Sequence, residues 1–234
     1  MIDIILLTHN RLENTIQCLD ALYQNTTVPF KLTVIDDSTD LTPEYFVRLK
    51  RDNINYVRPD VVIKSGNQAI NIGVKLTQSD PLVFLTNSTF VEPDWLPVAL
   101  RIMGTDPKVG LVGFKILSPR TNRIMEAGYG IGRDQAAHRW THIREVDAVG
   151  WAVVLFRRAA LTELDEDYYI GFRGVDDTDN CYEMRGRGWK IMYNGFGSAF
   201  HTPRSSAGLT TQAMLDTNEN IYRFRRKWRK RYKM

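Results

Sequence analysis

The sequence lacks the features of secreted and membrane-spanning proteins. Its only two cysteines, Cys18 and Cys181, form no metal or redox spacing, and such thiols are typical of free buried cysteines in a reducing compartment. No apolar run reaches the roughly 18 residues that a membrane-spanning helix needs. The start of the chain carries Asp3 where a signal peptide would carry basic residues. We therefore expect a cytoplasmic protein.

The composition is that of an ordinary globular domain. Hydrophobic residues make up 43% of the 234 residues and charged residues 25%, which disfavours disordered, collagen-like and disulfide-rich classes. The length suits one large α/β unit better than two domains. We predict a domain at residues 1–204, with a first lobe at 1–100 and a second at 101–204, followed by an extension at 205–234.

The net charge of +4 comes from the C-terminal tail. Residues 221–234 contain eight Lys or Arg and no acid, which leaves 23 basic and 27 acidic residues in the rest of the chain. Tyr222, Phe224, Trp228 and Tyr232 alternate with these cations. Such a segment fits an anionic membrane surface, a nucleic-acid backbone, or a solvated helix whose aromatic edge packs on the domain. The pattern leaves all three interpretations open.

Short apolar runs alternate with helical patterns in the first half of the chain, which predicts βαβ units and a mainly parallel sheet. The runs at residues 4–7 and 82–85 are continuously apolar, as expected for strands buried on both faces. Predicted strands cover residues 3–8, 31–35, 54–57, 81–85, 109–114, 149–156 and 190–193. Predicted helices cover residues 12–24, 43–50, 68–76, 94–102, 158–163 and 177–187, and a loop or hairpin covers 120–144.

Polar segments follow three of the predicted strands, at the sheet edge where ligands collect in open α/β folds. They are residues 8–11 (THNR), 36–40 (DDSTD) and 86–89 (TNST). Helix capping explains part of this polarity, because Asn10 is a reasonable cap for the helix at 12–24 and either Ser38 or Asp40 for the next helix. Capping does not account for both Asp36 and Asp37.

These segments resemble the motifs of the family-2 glycosyltransferases, and among them the bacterial rhamnosyltransferase-like members. The matching segments are 5–11 (ILLTHNR), 34–40 (VIDDSTD), 66–73 (GNQAINIG), 85–96 (LTNSTFVEPDWL), 146–158 (VDAVGWAVVLFRR), 165–169 (DEDYY), 176–188 (DDTDNCYEMRGRG) and 198–201 (SAFH). Their order and spacing cover residues 2 to 204. The resemblance implies an α/β fold of the A-type glycosyltransferase class: a single domain with two abutting Rossmann-like lobes around a mainly parallel central sheet.

The resemblance implies that a nucleoside diphosphate sugar binds at the ends of the first strands. It assigns the nucleobase contact to Thr8 and to Asp36 or Asp37. A carboxylate accepts the N3–H of uracil or thymine, so UDP or dTDP is expected rather than GDP. Asn71 also fits the polar face of a helix. The predicted nucleotide-sugar site comprises Thr8, Asn10, Arg11, Asp36, Asp37, Asn71, Thr86, Asn87 and Ser88.

The sequence departs from the family at the metal motif, where Thr86, Asn87 and Ser88 replace the usual acidic residues. Neutral oxygens bind Mg²⁺ or Mn²⁺ weakly, so a divalent cation would depend on Ser88, His201 and the donor phosphates. Alternatively, His201, Arg204 and helix N-termini replace the cation at the diphosphate. A third interpretation is that the chain binds its donor without catalysis.

The resemblance places the catalytic base at Asp177, which would deprotonate the acceptor hydroxyl. Asp176 and Asp179 support it, although either alone is also typical of a helix start. Gly150 and Trp151 are the predicted acceptor-side residues, and the expected acceptor is a glycan or a lipid-linked molecule.

The sequence therefore predicts an inverting glycosyltransferase that transfers a hexosyl or deoxyhexosyl group in polysaccharide or glycoconjugate synthesis. It would work in the cytoplasm, including peripherally at the inner membrane face. The alternatives are a nucleic-acid-associated protein and a transferase that glycosylates modified DNA bases, each using the tail at 221–234.

Overall fold

The computed structural model describes residues 1–128, 140–169, 175–202 and 211–232. The strands in these ranges are β1 (Ile2–Thr8), β2 (Phe30–Asp36), β3 (Ile54–Val57), β4 (Leu82–Thr86), β5 (Thr89–Val91), β6 (Val109–Leu117), β7 (Ile124–Glu126), β8 (Ile143–Val146), β9 (Val153–Phe156) and β10 (Lys190–His201). The α-helices are α1 (Leu12–Asn25), α2 (Thr42–Arg48), α3 (Gly66–Lys75), α4 (Trp95–Thr105), α5 (Asp176–Gly186) and α6 (Thr211–Tyr232).

All ten described strands belong to one sheet, in the order β3-β2-β1-β4-β9-β6-β10-β5, with β7 paired to β6 and β8 to β10. Six strands, β3, β2, β1, β4, β6 and β10, run in one direction. Strand β9 lies antiparallel between β4 and β6, and β5, β7 and β8 are also antiparallel. The predicted α/β class and mainly parallel central sheet are confirmed. The predicted lobe boundary at residue 100 stays a prediction.

The sheet separates two hydrophobic cores, because successive residues of a strand point to opposite faces. Ile5 and Leu7 of β1 belong to one core, which also contains side chains of α3, α5 and α6. Ile4 and Leu6 belong to the other core, with side chains of α1, α2 and α4. Burial on both faces explains why β1 is continuously apolar.

Three predicted elements differ from the structure. The predicted strand at 149–156 begins only at Val153, and β10 continues to His201 instead of ending at residue 193. A register shift between Asn194 and Ser198 lets β10 continue pairing with β6 past a polar and glycine-rich stretch. The predicted helix at 158–163 is a single 3₁₀ turn, Arg158–Ala160. The Arg158 guanidinium donates hydrogen bonds to the carbonyls of Val74 and Ser79 and so fixes the chain at this turn.

The basic tail forms helix α6, and its aromatic edge packs on the domain. Phe224 and Trp228 are buried, and both rings contact Tyr182 of α5. This arrangement agrees with the interpretation of a terminal helix packed through its aromatic residues. Within the ranges that the structure describes, no helix combines the length and apolarity needed to cross a membrane.

Helix α3 approaches β1 closely at Gly73. A Cβ atom at this position would press against Ile5 Cγ2 and lie 2.9 Å from Ile5 Cδ1. We expect Gly73→Ala to destabilise the fold by about 1–3 kcal/mol, because the rigid β1 side chain cannot move away. Gly104→Ala in α4 is the matched control, since a Cβ there meets nothing within 4 Å. Urea unfolding of both variants measures the difference, and equal stabilities would contradict this account of the contact.

Candidate active site

The carboxyl ends of the parallel strands bring Thr8 and Asp36 together. Asp36 is fully buried. Its Oδ1 accepts hydrogen bonds from Thr8 Oγ1 at 2.8 Å and Ser38 N at 3.1 Å, and its Oδ2 accepts from Tyr56 OH at 2.6 Å and Arg58 at 3.0 Å. Burial and the Asp36 carboxylate raise the pKa of Tyr56 to about 12. Four bonds fill the acceptor capacity of a carboxylate, so Asp36 ties together the ends of β1, β2 and β3.

Asp37 lies at the rim beside this buried carboxylate. His9 Nδ1 lies 2.7 Å from Asp37 Oδ1, and this hydrogen bond is the main reason why the pKa of His9 is raised. His9 keeps about a third of its side chain exposed (35%). The Asp37 side chain is 11% exposed, whereas that of Asp36 is fully buried, so Asp37 is better placed than Asp36 to meet a molecule in solution.

Asn10 and Arg11 form a left-handed turn between β1 and α1, with φ angles of 56° and 63°. The Asn10 Oδ1 accepts from the backbone N–H groups of Thr39 and Asp40 at 2.8 and 3.2 Å. The interpretation of Asn10 as the cap of α1 is therefore wrong, because the left-handed turn directs its side chain to the 38–40 segment. Asp40 Oδ2 instead accepts from the first N–H group of α1, at Leu12.

The 86–89 segment lies between β1 and β10. Asn87 donates from its side chain to the Asn10 carbonyl and to Thr15 Oγ1, both at 2.9 Å. Thr86 Oγ1 lies 3.3 Å from Ser88 Oγ. His201 pairs with Thr89 in the ladder between β10 and β5. The fold thus brings Asn10, Asn87 and His201 to the ends of adjacent elements.

His201 is mostly buried, and burial lowers its pKa to about 4. It is therefore a neutral imidazole at neutral pH, which can accept a hydrogen bond or ligate a metal. Arg204, the other residue predicted at the diphosphate, lies outside the described residues.

The donor atoms near His201 do not suit Mg²⁺ or Mn²⁺ held by protein groups. The segment offers the hydroxyls of Thr86 and Ser88 and the amide of Asn87, with no carboxylate. In the described part of the chain, no three His, Cys, Asp or Glu residues are grouped so that they could hold a metal ion. Hard divalent cations prefer charged oxygen ligands. The described residues near His201 therefore offer only weak neutral ligands to a divalent cation.

Farther along the same sheet edge, three carboxyl groups gather at the start of α5. Burial, together with the charges of Asp176 and Glu126, raises the pKa of Asp177 to about 8. Burial also raises the pKa of Asp176, whose Oδ2 would lie 3.7 Å from a Cβ atom added to Gly66 at the start of α3. Asp177 Oδ1 accepts from the Thr178 backbone N–H at 2.6 Å. A carboxyl group with a pKa near 8 is a candidate proton acceptor at neutral pH.

The predicted acceptor-side residues adjoin this carboxyl cluster. The Gly150 N–H donates to Glu126 Oε1, and the space beside Gly150 is filled by the same carboxylate. Trp151 is buried with its ring against Phe156 at 4.9 Å between centroids. Gly150 and Trp151 are thereby fixed to the start of β9, next to α5.

Asn71 and Asn67 connect α3 to Leu164 and to α5, and the sequence does not predict this role for Asn67. Asn71 is buried, donates to the Leu164 carbonyl at 2.8 Å and accepts from the Leu164 N–H at 3.0 Å. The interpretation of Asn71 as an exposed polar helix residue is therefore wrong. Asn67 accepts from Asn180 of α5 at 2.7 Å. In the sequence, only their spacing of four residues, which places both on one helix face, indicates that they share this role.

Asp179 connects α5 to α6. Its buried carboxylate accepts from Trp228 Nε1 at 2.5 Å and from Lys227 Nζ at 2.7 Å. Lys227 also lies 2.9 Å from Glu183. Asp179 therefore holds the two helices together, whereas Asp176 and Asp177 belong to the carboxyl cluster.

Comparison with known proteins relates the chain to glycosyltransferases. Residues 3–163 match the family described as glycosyl transferase family 2. No curated protein matches the chain. A crystal structure of GalNAc-T7 with UDP, GalNAc and Mn²⁺ superposes with a TM-score of 0.73 at 14% identity, covering 99% of this chain and 49% of that one.

A second similar structure is the mannosyltransferase PcManGT from Pyrobaculum calidifontis in complex with GDP-Man and Mn²⁺. Its TM-score is 0.65 at 17% identity, and the match covers 88% of this chain and 58% of that one. The chain thus spans roughly half the length of these two proteins. The likeness confirms the predicted A-type glycosyltransferase fold, and the resemblance to rhamnosyltransferases stays a prediction.

Proposed function

Because the chain belongs to glycosyl transferase family 2, we propose that it is an inverting glycosyltransferase that uses a nucleoside diphosphate sugar. It would move a hexosyl or deoxyhexosyl group to an acceptor hydroxyl in polysaccharide or glycoconjugate synthesis. The observation that carries the proposal is the raised pKa of Asp177, on the sheet edge that also bears the polar strand ends. The two similar structures are complexes with UDP and with GDP-Man, which supports a nucleotide-sugar donor.

Asp177 is the proposed catalytic base. It takes the proton of the acceptor hydroxyl as that oxygen bonds to C1 of the sugar, and the bond from C1 to the diphosphate oxygen breaks on the opposite face. The electron pair of the broken bond leaves with the diphosphate, so the configuration at C1 inverts. A base whose pKa lies near the working pH combines adequate basicity with a useful deprotonated fraction. The acceptor we propose is a glycan or a lipid-linked hydroxyl.

Asp37 is the residue we propose for the nucleobase contact. The carboxylate of Asp36 is already occupied by four hydrogen bonds, whereas Asp37 lies at the rim. A carboxylate there can accept the N3–H of uracil or thymine, which favours UDP or dTDP as the nucleotide. Arg11, exposed on the adjacent turn, is the nearest proposed cation for the diphosphate, and neutral His201 can accept a hydrogen bond from an acceptor or sugar hydroxyl.

We expect the transfer rate to rise with pH through a midpoint near 8. Asp177 must be deprotonated to act, and below its pKa of about 8 most molecules carry the proton. The kcat/KM profile of the free enzyme measures this midpoint. Glu126→Gln should move the midpoint to lower pH, because it removes a negative charge that raises the pKa of Asp177. A flat profile between pH about 6.5 and 9, with constant donor binding, would contradict the role of Asp177.

Chelation should weaken donor binding only slightly, by less than about tenfold, because neutral ligands such as Ser88 hold a divalent cation poorly. Isothermal titration with and without EDTA measures the effect. Ser88→Asp supplies the missing carboxylate and should make donor binding sensitive to EDTA. Complete loss of donor binding by the unmodified protein on chelation would contradict the argument from the donor atoms.

A thermal-shift screen tests the proposed function directly. Ligands that bind only the folded state raise the melting temperature, so conjugates of UDP, dTDP, GDP and CMP can be compared under one condition. The proposal requires a shift with at least one conjugate, followed by transfer to an acceptor hydroxyl with an inverted anomeric signal by NMR. Retention at C1 would exclude the inverting mechanism, and no shift with any conjugate would exclude donor binding.

A further inference from the structure

The outward face of α6 carries a cluster of exposed arginines. Arg225, Arg226 and Arg229 are exposed, while Phe224 and Trp228 point into the domain. At 100° per residue, the exposed arginines lie on the side of α6 opposite or flanking these buried aromatics. The inward face is already used by contacts to α5, so the outward cations are not needed to hold the helix.

The same outward face also exposes large apolar side chains. Met214 and Leu215 are each 57% exposed, and Tyr222 is 60% exposed. Leu215, Glu219, Tyr222 and Arg226 fall on one stripe of the helix, at intervals of four, three and four residues, and Glu219 is paired with Arg223. Exposed apolar residues next to a cationic segment are a departure from an ordinary solvated helix.

The arginines alone would fit either a nucleic acid or an anionic membrane, and the exposed apolar residues distinguish between these two partners. A nucleic-acid backbone is bound through its phosphates by Lys and Arg, with strong salt dependence, and leaves Met and Leu without a contact. A bilayer interface contacts both the arginines and the apolar residues, because aliphatic and aromatic side chains enter the acyl boundary while the cations remain at the headgroups. The combination on α6 therefore favours a lipid surface.

We propose that α6 docks the protein on an anionic membrane surface, lying in the plane of the interface. Arg225, Arg226 and Arg229 would contact the lipid phosphates, and Met214, Leu215 and Tyr222 would enter the interface. Helix α6 is bound to α5 through Asp179, two residues from Asp177. Docking would consequently hold the carboxyl cluster near the membrane, where a lipid-linked acceptor would lie.

Vesicle sedimentation without any sugar donor tests the docking independently of the proposed enzyme activity. The full chain should bind vesicles of phosphatidylcholine mixed with phosphatidylglycerol, and should not bind pure phosphatidylcholine. The triple variant Arg225→Gln, Arg226→Gln, Arg229→Gln should lose at least about tenfold in affinity. The matched control Lys31→Gln, Arg48→Gln, Lys50→Gln removes the same charge from exposed positions and should bind normally.

A second variant separates the membrane from nucleic acid. Leu215→Ser keeps the charge and should weaken vesicle binding severalfold, while leaving any binding to duplex DNA unchanged. Thermal unfolding of each variant checks that α6 remains packed. The proposal is overturned if the full chain ignores anionic vesicles, if both triple variants bind equally, or if duplex DNA binds more tightly than the vesicles at the same salt concentration.

Discussion

Asp177→Asn should slow sugar transfer by about 10²–10⁴-fold, the range that a positioned general base contributes, and leave donor affinity within about twofold. The reason is that asparagine keeps the shape of the side chain but cannot accept the hydroxyl proton. Single-turnover kinetics and donor titration measure the two quantities separately. Asp176→Asn is the matched control, since Asp176 is the adjacent carboxyl group in the same cluster, and its loss should slow transfer less.

The same variant should be more stable than the unmodified protein, and increasingly so as the pH rises. Because the folded-state pKa of Asp177 is raised to about 8, from about 4 in the unfolded chain, the folded protein binds a proton that the unfolded chain has lost. The stability of the unmodified protein therefore decreases from pH about 4 to about 8, and Asp177→Asn removes that decrease. Denaturant unfolding at both ends of this range measures it. An equal stability difference between the variant and the unmodified protein at both ends would show that folding does not raise the pKa of Asp177.

Asp36→Ala should destabilise the fold by about 2–4 kcal/mol, because it removes the acceptor of four hydrogen bonds at once. The Thr8 and Tyr56 hydroxyls and the Ser38 N–H would lose a buried partner. Urea unfolding measures the loss. Circular dichroism at low temperature checks that the variant still folds.

Asp37→Ala is the informative comparison for this prediction. Asp37 pairs with the partly exposed His9, so its loss should cost less than about 1 kcal/mol of stability, yet it should weaken binding of a uridine or thymidine donor. The reverse pattern, with little destabilisation but lost donor binding for Asp36→Ala, would assign the nucleobase to Asp36.

Strands β1 and β4 were predictable because each contains a continuous apolar run that is buried on both faces of the sheet. The full length of β10 was not, because Asn194, Gly195 and Gly197 interrupt its apolar pattern and only pairing with β6, β8 and β5 keeps the chain extended. The three-residue β5 is too short to produce a periodic signal. Its existence depends on β10, more than a hundred residues later in the chain.

The candidate site was predictable in position but not in the division of roles. The sequence pattern placed Asp36 and Asp37 at a strand end. Only the fold shows that Tyr56 and Arg58 donate hydrogen bonds to the Asp36 carboxylate. Glu126 lies in a stretch predicted as loop or hairpin, and its proximity to Asp177 depends on the pairing of β7 with β6. Such long-range contacts leave no local pattern in the sequence.

The place of β9 between β4 and β6 has a consequence for synthesis on the ribosome. Strand β4 ends at Thr86, but the strand that covers its open edge, β9, begins only at Val153. The nascent first half therefore exposes an unpaired, apolar strand edge while the following residues are translated. Such an edge can pair with strands of other chains and cause aggregation. We expect slow translation or a shortage of chaperones to reduce the yield of folded protein chiefly during that interval.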